Sequence, residues 1–550
     1  MIKKLISYVK ESKEAKLGKK LSYLGDNIPY KVLVTTSGVG SRLGSLTDHT
    51  NKCLVSIGRK NSLAYIIESY PPHVIFVITL GHFGKHVREF LQISYPDRFF
   101  EFVEVENFKD QGSSLALSML AAKSYLQQPF VFHASDTIIY SEEIPPPNNN
   151  WIFGFKSLDA DNYATFDVEE HKVLSIHEKG MTEFDFIHIG LIGIFDFSAF
   201  WSNLEEVLKD NLFSNPTDVN VIRKLIKKGI EFNSIETKNW LDIGNSSALL
   251  KAKEKLGDSF ITLPKVDESI LFIGNSVVKF FADPKINKNR ISRAQFLNGL
   301  VPNLEDSNNY FFKYKYIEGD VLSKVSNAQL ISKLLDWAQK KLWTPKKDSN
   351  FLEFRNKCEN FYFEKTISRL NLFISSRGIS DRTSTINGYE IPPAFELLNE
   401  SRDHLLQNII ETGYHGDFIL DNIILQNNDF KLIDWRQDFG GDLEFGDKYY
   451  DLAKLNHSLV INHAIVNSKL FEISISKSEV SCTILRKDIH VEMQKLLGKF
   501  VFEQNLSKQK VDILTSVIWL NMSPLHHHPF DLFLYNYGKL NLWKALNSEE

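Results

Sequence analysis

Cysteine is scarce in this chain, and long apolar runs are missing. The three cysteines among 550 residues, Cys53, Cys358 and Cys482, lie far apart and match no zinc-binding spacing. A disulfide framework is therefore not expected, and the sequence predicts a reducing, cytoplasmic compartment. No stretch approaches the roughly 20 apolar residues of a membrane-spanning helix, so no membrane span is predicted.

An excess of charge of one sign is missing as well. Lysine and arginine number 64 and aspartate and glutamate 68, which leaves a net charge of −4. A general nucleic-acid binder would carry a strong basic excess, so nucleic acid is not expected as a partner. With 43% hydrophobic and 24% charged residues the composition is that of a globular chain, which excludes long disorder.

The pattern of apolar residues changes along the chain, and the length predicts several domains. Strands alternate with helices in the first half, which predicts an α/β domain with a doubly wound, mostly parallel sheet. The apolar segment 184–201 is predicted as two strands and a turn. Short strands and then long helices follow, which predicts a two-lobed α+β domain. The predicted boundaries are a helical extension at 1–28, the α/β domain at 29–256, a linker at 257–268, and the second domain at 269–550, with a small lobe at 269–322 and a helical lobe at 323–550.

A glycine-rich loop follows the first predicted strand. Gly38, Gly40 and Ser41 would allow backbone N–H groups to approach phosphates closely. Arg42, and Lys52 ten residues later, would neutralise a leaving pyrophosphate. A glycine turn after a strand is weak evidence alone, because many such turns only connect elements.

Further motifs follow in order, and together they carry a resemblance. They are Asp110-Gln111-Gly112, Asp136 after a strand, Glu178-Lys179, and Trp240-Leu241-Asp242. Over about residues 29–256 the sequence resembles the sugar-phosphate nucleotidyltransferase family, which includes phosphocholine cytidylyltransferases. The chain departs from the family loop by Ser41 for Thr, Ser45 for Pro, and Asn51 for the Pro before Lys52.

The resemblance implies a role for each motif. Asp136 and Asp242 would hold one Mg²⁺ together with a nucleoside triphosphate, and Lys179 would bind the acceptor phosphate beside Glu178. The stretch containing Gln111 and Gly112 would read the base. The alternatives from the residues alone are a helix cap for Asp242 and a solvated turn for Glu178-Lys179.

A second constellation lies in the C-terminal half. His415-Gly416-Asp417 and Asn422 fit H-G-D-x-x-x-x-N, and Asp434 ends an apolar strand twelve residues after Asn422. These are the parts of a phosphoryl-transfer site, in which the first acid positions a hydroxyl and the amide and second acid hold Mg²⁺.

Upstream residues extend this pattern. Lys279 lies in an apolar strand, and Tyr316 and Ile317 follow a later one. From about residue 269 onward the sequence resembles the aminoglycoside phosphotransferase and choline kinase family. The resemblance implies that Lys279 meets ATP phosphates and that the segment at Tyr316 and Ile317 offers backbone groups to adenine. Asp447 and Asp451 are predicted to be structural.

Arg436 stands where the choline and ethanolamine kinases usually show an acid. If it lines the acceptor pocket, it would repel an ammonium group and favour a neutral or acidic hydroxylated acceptor. The alternative is a salt bridge to Asp438 or Asp442. A histidine triplet is predicted to lie in a loop near the acceptor pocket, or to pack, rather than to bind metal: His526, His527 and His528.

The two halves together predict a bifunctional, Mg²⁺-dependent enzyme. The C-terminal half would phosphorylate a small alcohol or polyol with ATP. The N-terminal half would then transfer a nucleoside monophosphate, with CTP the favoured donor, to give an activated alcohol for bacterial capsule or surface glycans. The alternatives are a sugar 1-kinase fused to an NDP-sugar pyrophosphorylase, a choline or ethanolamine kinase fused to a cytidylyltransferase, and a non-catalytic regulatory or scaffold protein.

Overall fold

The computed structural model describes residues 30–109, 113–158, 160–210, 215–256, 266–476 and 479–548. The predicted N-terminal helix, the base-reading residues Gln111 and Gly112, and most of the predicted linker lie outside the described residues. The chain divides into two compact units. The first comprises Met1–Pro284 with Asp306–Lys313, and the second Lys285–Glu305 with Tyr314–Glu550.

The first unit is built on strands and short helices. Its strands are β1 (Lys31–Thr35), β2 (Ser56–Ile57), β3 (Lys60–Asn61), β4 (Ile75–Leu80), β5 (Phe99–Glu104), β6 (Phe130–Ala134), β7 (Thr137–Ile139), β8 (Trp151–Phe155), β9 (Thr165–Glu169), β10 (Lys172–His177), β11 (Phe186–Ile194), β12 (Asn233–Thr237), β13 (Trp240–Asp242), β14 (Glu268–Ile273) and β15 (Ser276–Phe281). Its helices are α1 (Ser62–Glu68), α2 (Gly84–Ser94), α3 (Leu115–Ala121), α4 (Phe197–Lys209), α5 (Asp218–Lys227) and α6 (Ser246–Leu256), and 3₁₀ turns occupy Ser41–Thr47, Lys52–Leu54 and Lys123–Tyr125.

Nine of these strands form one sheet in the order β5-β4-β1-β6-β11-β8-β12-β10-β9. The edge formed by β5, β4, β1 and β6 is parallel, as predicted for an α/β domain. From β6 onward most pairings are antiparallel, so the prediction of a mostly parallel sheet is wrong. The reason is connection length, because a short turn between β9 and β10 can only return the chain antiparallel.

The segment 184–201 also differs from its prediction. It forms one long strand, β11, followed by the start of helix α4, rather than two strands. Phe200, Trp201, Leu204 and Val207 are buried at helical spacing, and the last two lie beyond the segment.

Apolar side chains cover both faces of the sheet. Alternate residues of β1 belong to different cores, with Leu33 on one face and Val32 and Val34 on the other. The hairpin β14–β15 also belongs to the first unit, where its apolar residues share a core with helix α2. Lys313 reaches the same helix and donates from Nζ to the carbonyl of Ile93 over 3.0 Å.

Helix α7 (Pro284–Phe296) and strands β16 (Leu304–Ser307) and β17 (Phe311–Lys315) follow the hairpin. The second unit is mainly helical. Its further helices are α8 (Leu322–Val325), α9 (Ala328–Lys341), α10 (Phe351–Glu359), α11 (Lys365–Arg377), α12 (Ala394–Leu406), α13 (Lys448–Val460), α14 (His463–Asn467), α15 (Asp488–Glu503), α16 (Lys508–Met522) and α17 (Phe530–Leu546). Its further strands are β18 (Asp320–Val321), β19 (Ser384–Ile386), β20 (Tyr389–Ile391), β21 (Glu411–Gly413), β22 (Ile423–Gln426), β23 (Asp429–Leu432), β24 (Phe445–Asp447), β25 (Phe471–Ile475) and β26 (Val480–Ile484), with a π-turn at Asn360–Glu364 and 3₁₀ turns at Leu420–Asn422 and Ser523–Leu525.

Buried helices form the centre of the second unit. Helix α13 is buried along its whole length, and it packs between α15 and α16. Helix α9 is one of the long helices predicted for this half, and Asn327 caps it by accepting from the backbone N–H of Leu330. Within the described residues, no helix is long and apolar enough to cross a membrane. The two-lobed kinase-like fold of the second half stays a prediction.

Candidate active sites

The glycine loop of the first unit turns sharply at Gly40. Its φ of +73° lies in the left-handed region, and a Cβ built there would stand 2.9 Å from Cβ of Lys52. Only glycine therefore allows the loop to pass so close to Lys52. Ser41 and Arg42 begin the 3₁₀ turn that follows, and both side chains are exposed.

Asn51 fixes the position of Lys52. Its buried side-chain amide donates to the carbonyls of Thr36 and His82 over 2.7 and 2.6 Å, and its oxygen accepts from the backbone of Cys53. These carbonyls follow the ends of β1 and β4. Asn51 thus connects the lysine segment to the sheet edge by hydrogen bonds at the position where the resembled family has proline.

Asp136 lies in the turn between β6 and β7 and is held by Lys52. The Lys52 ammonium donates to Oδ2 of Asp136 over 2.8 Å. Burial opposes ionisation of Asp136, but the charge of Lys52 and its hydrogen bond outweigh it, so the pKa lies below its ordinary value. His133 supports the turn, because Tyr70 contacts its Nδ1 and the carbonyl of Thr137 contacts its Nε2.

Asp242 ends β13 beside Asp136. In the antiparallel pair β13–β7, Asp242 lies opposite Thr137, the residue after Asp136. Tyr163 donates to Oδ2 of Asp242 over 2.9 Å, and the backbone of Gly244 donates to Oδ1 over 2.8 Å. The cap of helix α6 is Asn245, which accepts from the backbone N–H of Ala248, so the helix-cap alternative for Asp242 is wrong.

The two carboxylates face the same residue. A Cβ built on Gly244 would lie 3.0 Å from Oδ1 of Asp242 and 3.4 Å from Oδ2 of Asp136. Burial, followed by the negative charge of Asp136, raises the pKa of Asp242. Two hard oxygen donors that disfavour each other's charge fit a divalent cation such as Mg²⁺.

Across the described ranges, no three histidine, cysteine, aspartate or glutamate side chains come together as a metal site. A cation held by Asp136 and Asp242 would therefore complete its shell with water and triphosphate oxygens, as Mg²⁺ does at phosphate-transfer sites.

Both carboxylates line a cleft of about 220 Å³. Arg42, Glu178 and Lys179 line the same cleft, so the structure brings these predicted residues together. Glu178 accepts hydrogen bonds from residues that belong to no predicted motif, because Arg223 and Asn220 each donate to its Oε1 over 3.0 Å. Glu178 and Lys179 are exposed in a turn after β10, as the solvated-turn alternative also requires.

The second unit gathers its three motif residues at one strand end. Asn422 donates from Nδ2 to Oδ2 of Asp417 over 2.9 Å and to the Asp417 carbonyl over 3.0 Å. The backbone of Ile433 donates to the carbonyl of Asn422, which places Asp434 one residue beyond that contact. The carboxylate of Asp434 and the side-chain oxygen of Asn422 are ligands of the type that Mg²⁺ prefers.

Two cations balance these acids. Lys454, on helix α13, binds Oδ1 of Asp417 over 2.7 Å, and Arg290, on α7, binds Oδ1 of Asp434 over 2.7 Å. Burial opposes ionisation of Asp417, but Lys454 outweighs it and lowers the pKa of Asp417 to about 2. Asp417 is therefore a carboxylate at neutral pH.

Asp447 caps a helix and Asp451 holds the motif loop, which confirms their predicted structural role. Asp447 caps α13 by accepting from the backbone N–H of Tyr449. Buried Asp451 accepts from the backbone N–H groups of His415 and Gly416 over 2.8 and 2.7 Å. Burial raises the pKa of Asp451 to about 6.

The predicted nucleotide-contacting residues lie in different places. Lys279 is buried in β15, whereas Tyr316 and Ile317 follow β17 in the second unit, with Tyr316 exposed. Their roles toward ATP stay predictions. Arg293, which stands where the resembled family often has a glutamate, donates instead to the carbonyls of Tyr414 and Leu443.

Arg436 does not form the alternative salt bridge. Asp442 pairs with Lys357 over 2.9 Å, and no ion pair of Arg436 occurs within the described part of the chain. Its guanidinium carbon lies 4.8 Å from the centre of the Phe361 ring. The histidine triplet lies in a loop before α17, as predicted, and the ring of His526 contacts that of Phe530 with centroids 5.0 Å apart.

Comparisons with known proteins bear on the first half of the chain. No protein-family model matches. The bifunctional protein GlmU of Methanococcus vannielii is 24% identical over 267 residues, which cover 45% of this chain and 60% of that protein. The N-terminal half resembles the sugar-phosphate nucleotidyltransferases. This chain spans only about 60% of the length of that relative.

Two solved structures are also similar to the nucleotidyltransferase-like half. The CTP:phosphocholine cytidylyltransferase of Streptococcus pneumoniae is 19% identical, with a TM-score of 0.36, over 42% of this chain and 100% of that chain. The inositol-1-phosphate CTP transferase of T. maritima is 14% identical, with a TM-score of 0.34, over 42% of this chain and 99% of that chain. At these values neither match assigns an activity to this chain.

Several functional contacts have no counterpart in the sequence prediction. Tyr163 on Asp242 and Arg290 on Asp434 come from segments without a motif, so no local signal marks them. Lys454 had a signal, because it follows Asp451 by three residues on a predicted helix and therefore lies on the same side of it.

Proposed function

We propose that this chain is a bifunctional enzyme. The second unit would phosphorylate a small alcohol with ATP, and the first would transfer a nucleoside monophosphate from a nucleoside triphosphate to the resulting phosphomonoester. The observation that carries the proposal is the cleft lined by Asp136 and Asp242, with Lys52 bound to Asp136. The similarity of the first half to nucleotidyltransferases supports it.

In the first site, catalysis would consist mainly of positioning and charge neutralisation. Asp136 and Asp242 would hold Mg²⁺, which when bound supplies positive charge against the triphosphate. Lys52 binds Asp136, and it would neutralise the leaving pyrophosphate together with Arg42, which lines the same cleft. Lys179, exposed at the cleft, would bind the acceptor phosphate.

In the second site, the ionised carboxylate of Asp417 would accept a hydrogen bond from the acceptor hydroxyl and orient it toward the γ-phosphorus of ATP. Asn422 fixes the carboxylate through its amide, and Lys454 keeps it ionised. Asn422 and Asp434 would hold Mg²⁺. Lys279, Tyr316 and Ile317 are the proposed ATP-binding residues.

The two reactions fit one another chemically. The kinase product is a phosphomonoester, and a nucleotidyltransferase of this kind needs a phosphomonoester as acceptor. CTP is the proposed nucleotide donor. The use of the product in capsule or surface-glycan synthesis, and the cytoplasmic location, stay predictions.

A two-step assay tests the proposal. The full chain is incubated with Mg²⁺, ATP, CTP and a panel of alcohols and sugars, and products are read by mass spectrometry. We expect a phosphomonoester with ATP alone and a CDP-linked product when CTP is added. A supplied phosphomonoester should react with CTP without ATP. Absence of both products across the panel would support the scaffold alternative instead.

A further inference from the structure

Two basic side chains of the second unit lie at one aromatic ring, and a third is on the same side of the helix as one of them. Arg436 lies 4.8 Å from the centre of the Phe361 ring, and the ammonium of Lys365 lies 5.4 Å from the same centre. Arg369 follows Lys365 by one turn of helix α11 and therefore lies on the same side of it. We call Lys365, Arg369 and Arg436 the basic cluster.

The basic cluster adjoins the loop that carries Asp417. The backbone N–H of Arg436 donates to the carbonyl of His415 over 3.1 Å, and a Cβ built on Gly416 would lie 2.6 Å from Cβ of Arg436. Nη1 of Arg436 approaches the hydroxyl of Tyr450 to 3.4 Å. One helical turn after Tyr450 stands Lys454, the ion-pair partner of Asp417.

The basic cluster lacks a directly paired acid. Over the described ranges, none of its three members forms an ion pair, and Nε of Arg436 is buried without a hydrogen-bond partner. Arg369 donates to the side-chain and backbone oxygens of Asn521, which are neutral. The cations that bind Asp417 and Asp434, in contrast, are each paired with a carboxylate.

The electrostatic consequence falls on Lys365. Burial, followed by the charges of Arg436 and Arg369, lowers its pKa to about 6, Lys454 contributes in the same direction, and Asp438 opposes the shift. A group of basic side chains held together without an ion-paired acid is a feature of binding sites, because a bound anion relieves the repulsion.

We propose that the basic cluster binds an anionic group, a carboxylate or a phosphate, on the same molecule whose hydroxyl Asp417 orients. This inference rests on the proposed kinase function of the second unit. The hydroxyl oxygen forms a bond to the γ-phosphorus of ATP while the bond from that phosphorus to the β,γ-bridging oxygen breaks. The hydroxyl proton passes to the Asp417 carboxylate, and ADP leaves.

The proposal has a consequence for the substrate class. A hydroxy acid or a phosphorylated polyol would satisfy both Asp417 and the basic cluster, whereas choline and ethanolamine would place an ammonium group against two arginines and a lysine. The product would carry a phosphomonoester and a second anionic group, and it would reach the first site in that form.

Binding is tested by calorimetry on the full chain with three probes of similar size: glycerate, glycerol 3-phosphate and glycerol. We expect at least one of the two anions to bind at least tenfold more tightly than glycerol, and the two anions separate a carboxylate from a phosphate preference. Arg436→Gln and Arg369→Gln should each weaken that anion at least tenfold, and the exposed Lys333→Gln should not. Equal binding of glycerol, or no effect of either cluster variant, would overturn the proposal.

Proton uptake supplies a readout that a structural role would not move. Anion binding should raise the pKa of Lys365, so the protein should take up protons on binding near pH 7. Binding heats measured in buffers of different ionisation enthalpy give the number of protons taken up per bound anion, and Lys365→Met should reduce this number. Tight anion binding by a folded Lys365→Met chain with unchanged proton uptake would count against the basic cluster as the site.

Turnover distinguishes this inference from the kinase proposal itself. With ATP, the anionic probe should be phosphorylated with a lower KM than glycerol, and Arg436→Gln should raise that KM about tenfold without raising the KM for ATP. If glycerol or choline is the better substrate, the kinase stands and the anion site is refuted. If nothing is phosphorylated but anion binding remains sensitive to Arg436→Gln, the anion site stands and the kinase proposal fails.

Discussion

Each of the two candidate sites contains a pair of aspartates, but the charges around the two pairs differ. Each has one aspartate whose pKa is lowered by a lysine, Asp136 by Lys52 and Asp417 by Lys454. The second carboxylate differs. Within the described residues Asp242 has no ion pair and its pKa is raised, whereas Asp434 binds Arg290 over 2.7 Å.

This difference indicates how each site would meet a cation. In the first unit a divalent ion would relieve the repulsion between Asp136 and Asp242. In the second unit it would compete with an arginine already bound to Asp434, so metal and nucleotide must displace or share that contact. The first site could therefore bind a cation without breaking an ion pair, whereas cation binding at the second site would have to change the contact between Asp434 and Arg290.

The largest expected effect comes from removing one carboxylate in each unit. Asp242→Ala should lower nucleotidyl transfer by about 10²- to 10³-fold, because it removes a charge that would hold the metal. Asp417→Asn should lower ATP-dependent phosphorylation by a similar factor. Each variant should retain the other activity, as read with a supplied phosphomonoester plus CTP, and with ATP plus alcohol.

These two variants serve as controls for one another. Loss of both activities in a chain that is folded by circular dichroism would contradict the separation of the sites. Near-normal turnover of Asp242→Ala would show that Asp242 is not part of the first site.

The next effect is a shift in pH dependence. Lys454→Met removes the main charge that lowers the pKa of Asp417, and burial then raises that pKa. Activity that needs the carboxylate falls as pH drops through its pKa, so the acidic limb of phosphorylation should move upward by more than about one pH unit. Nucleotidyl transfer should keep its own profile.

The exposed Lys499→Met on helix α15 is the matched control for this shift. The substitution removes a positive charge from the second unit, and Lys499 pairs with Glu503 over 3.6 Å rather than with Asp417. An acidic limb that stays in place in Lys454→Met would mean that Asp417 is not the group that limits the rate.

A smaller effect concerns the metal requirement. Arg290→Gln should lower the Mg²⁺ concentration for half-maximal phosphorylation by about 3- to 10-fold, because Asp434 loses a competing cation. The measurement is a Mg²⁺ titration at fixed ATP. A higher Mg²⁺ concentration for half-maximal activity would show that Arg290 orients Asp434 for the metal. Asp434 would then be better prepared for a cation than Asp242, contrary to the expectation above.

The smallest effect on activity is expected at Asn51, which holds the segment of Lys52, and there the change is measured in stability. Asn51→Ala leaves the buried carbonyls of Thr36 and His82 without their donor, which should lower the free energy of unfolding by about 1–3 kcal/mol. Asn61→Ala, which removes one helix-capping bond to Ala64, should cost about 1 kcal/mol. Denaturant unfolding compares them, and an Asn51→Ala cost no greater than that of Asn61→Ala would contradict the anchoring role.

Sequence patterns predicted elements best where one period repeats over a whole segment. Strands such as β1 and β6 and helix α9 follow from runs of buried residues and caps that are visible in the sequence. The prediction for segment 184–201 was wrong because Leu204 and Val207, which complete the helical spacing of α4, lie after residue 201. The antiparallel half of the sheet was missed because neither parallel nor antiparallel pairing leaves a distinct pattern in a buried strand.

The sequence by itself determined which residues could carry chemistry. The resemblance to nucleotidyltransferases singled out Lys52, Asp136 and Asp242, and motif spacing singled out Asp417, Asn422 and Asp434. The acids come close together because β13 pairs antiparallel with β7, and β23 pairs antiparallel with β22.

Only the tertiary structure decided the electrostatic state of those residues. The contacts of Tyr163 with Asp242, Arg290 with Asp434 and Lys454 with Asp417 join segments far apart in the chain. The basic cluster likewise combines helix α11 with Arg436. A pKa depends on burial and on charges within a few ångströms, and neither is a property of sequence separation.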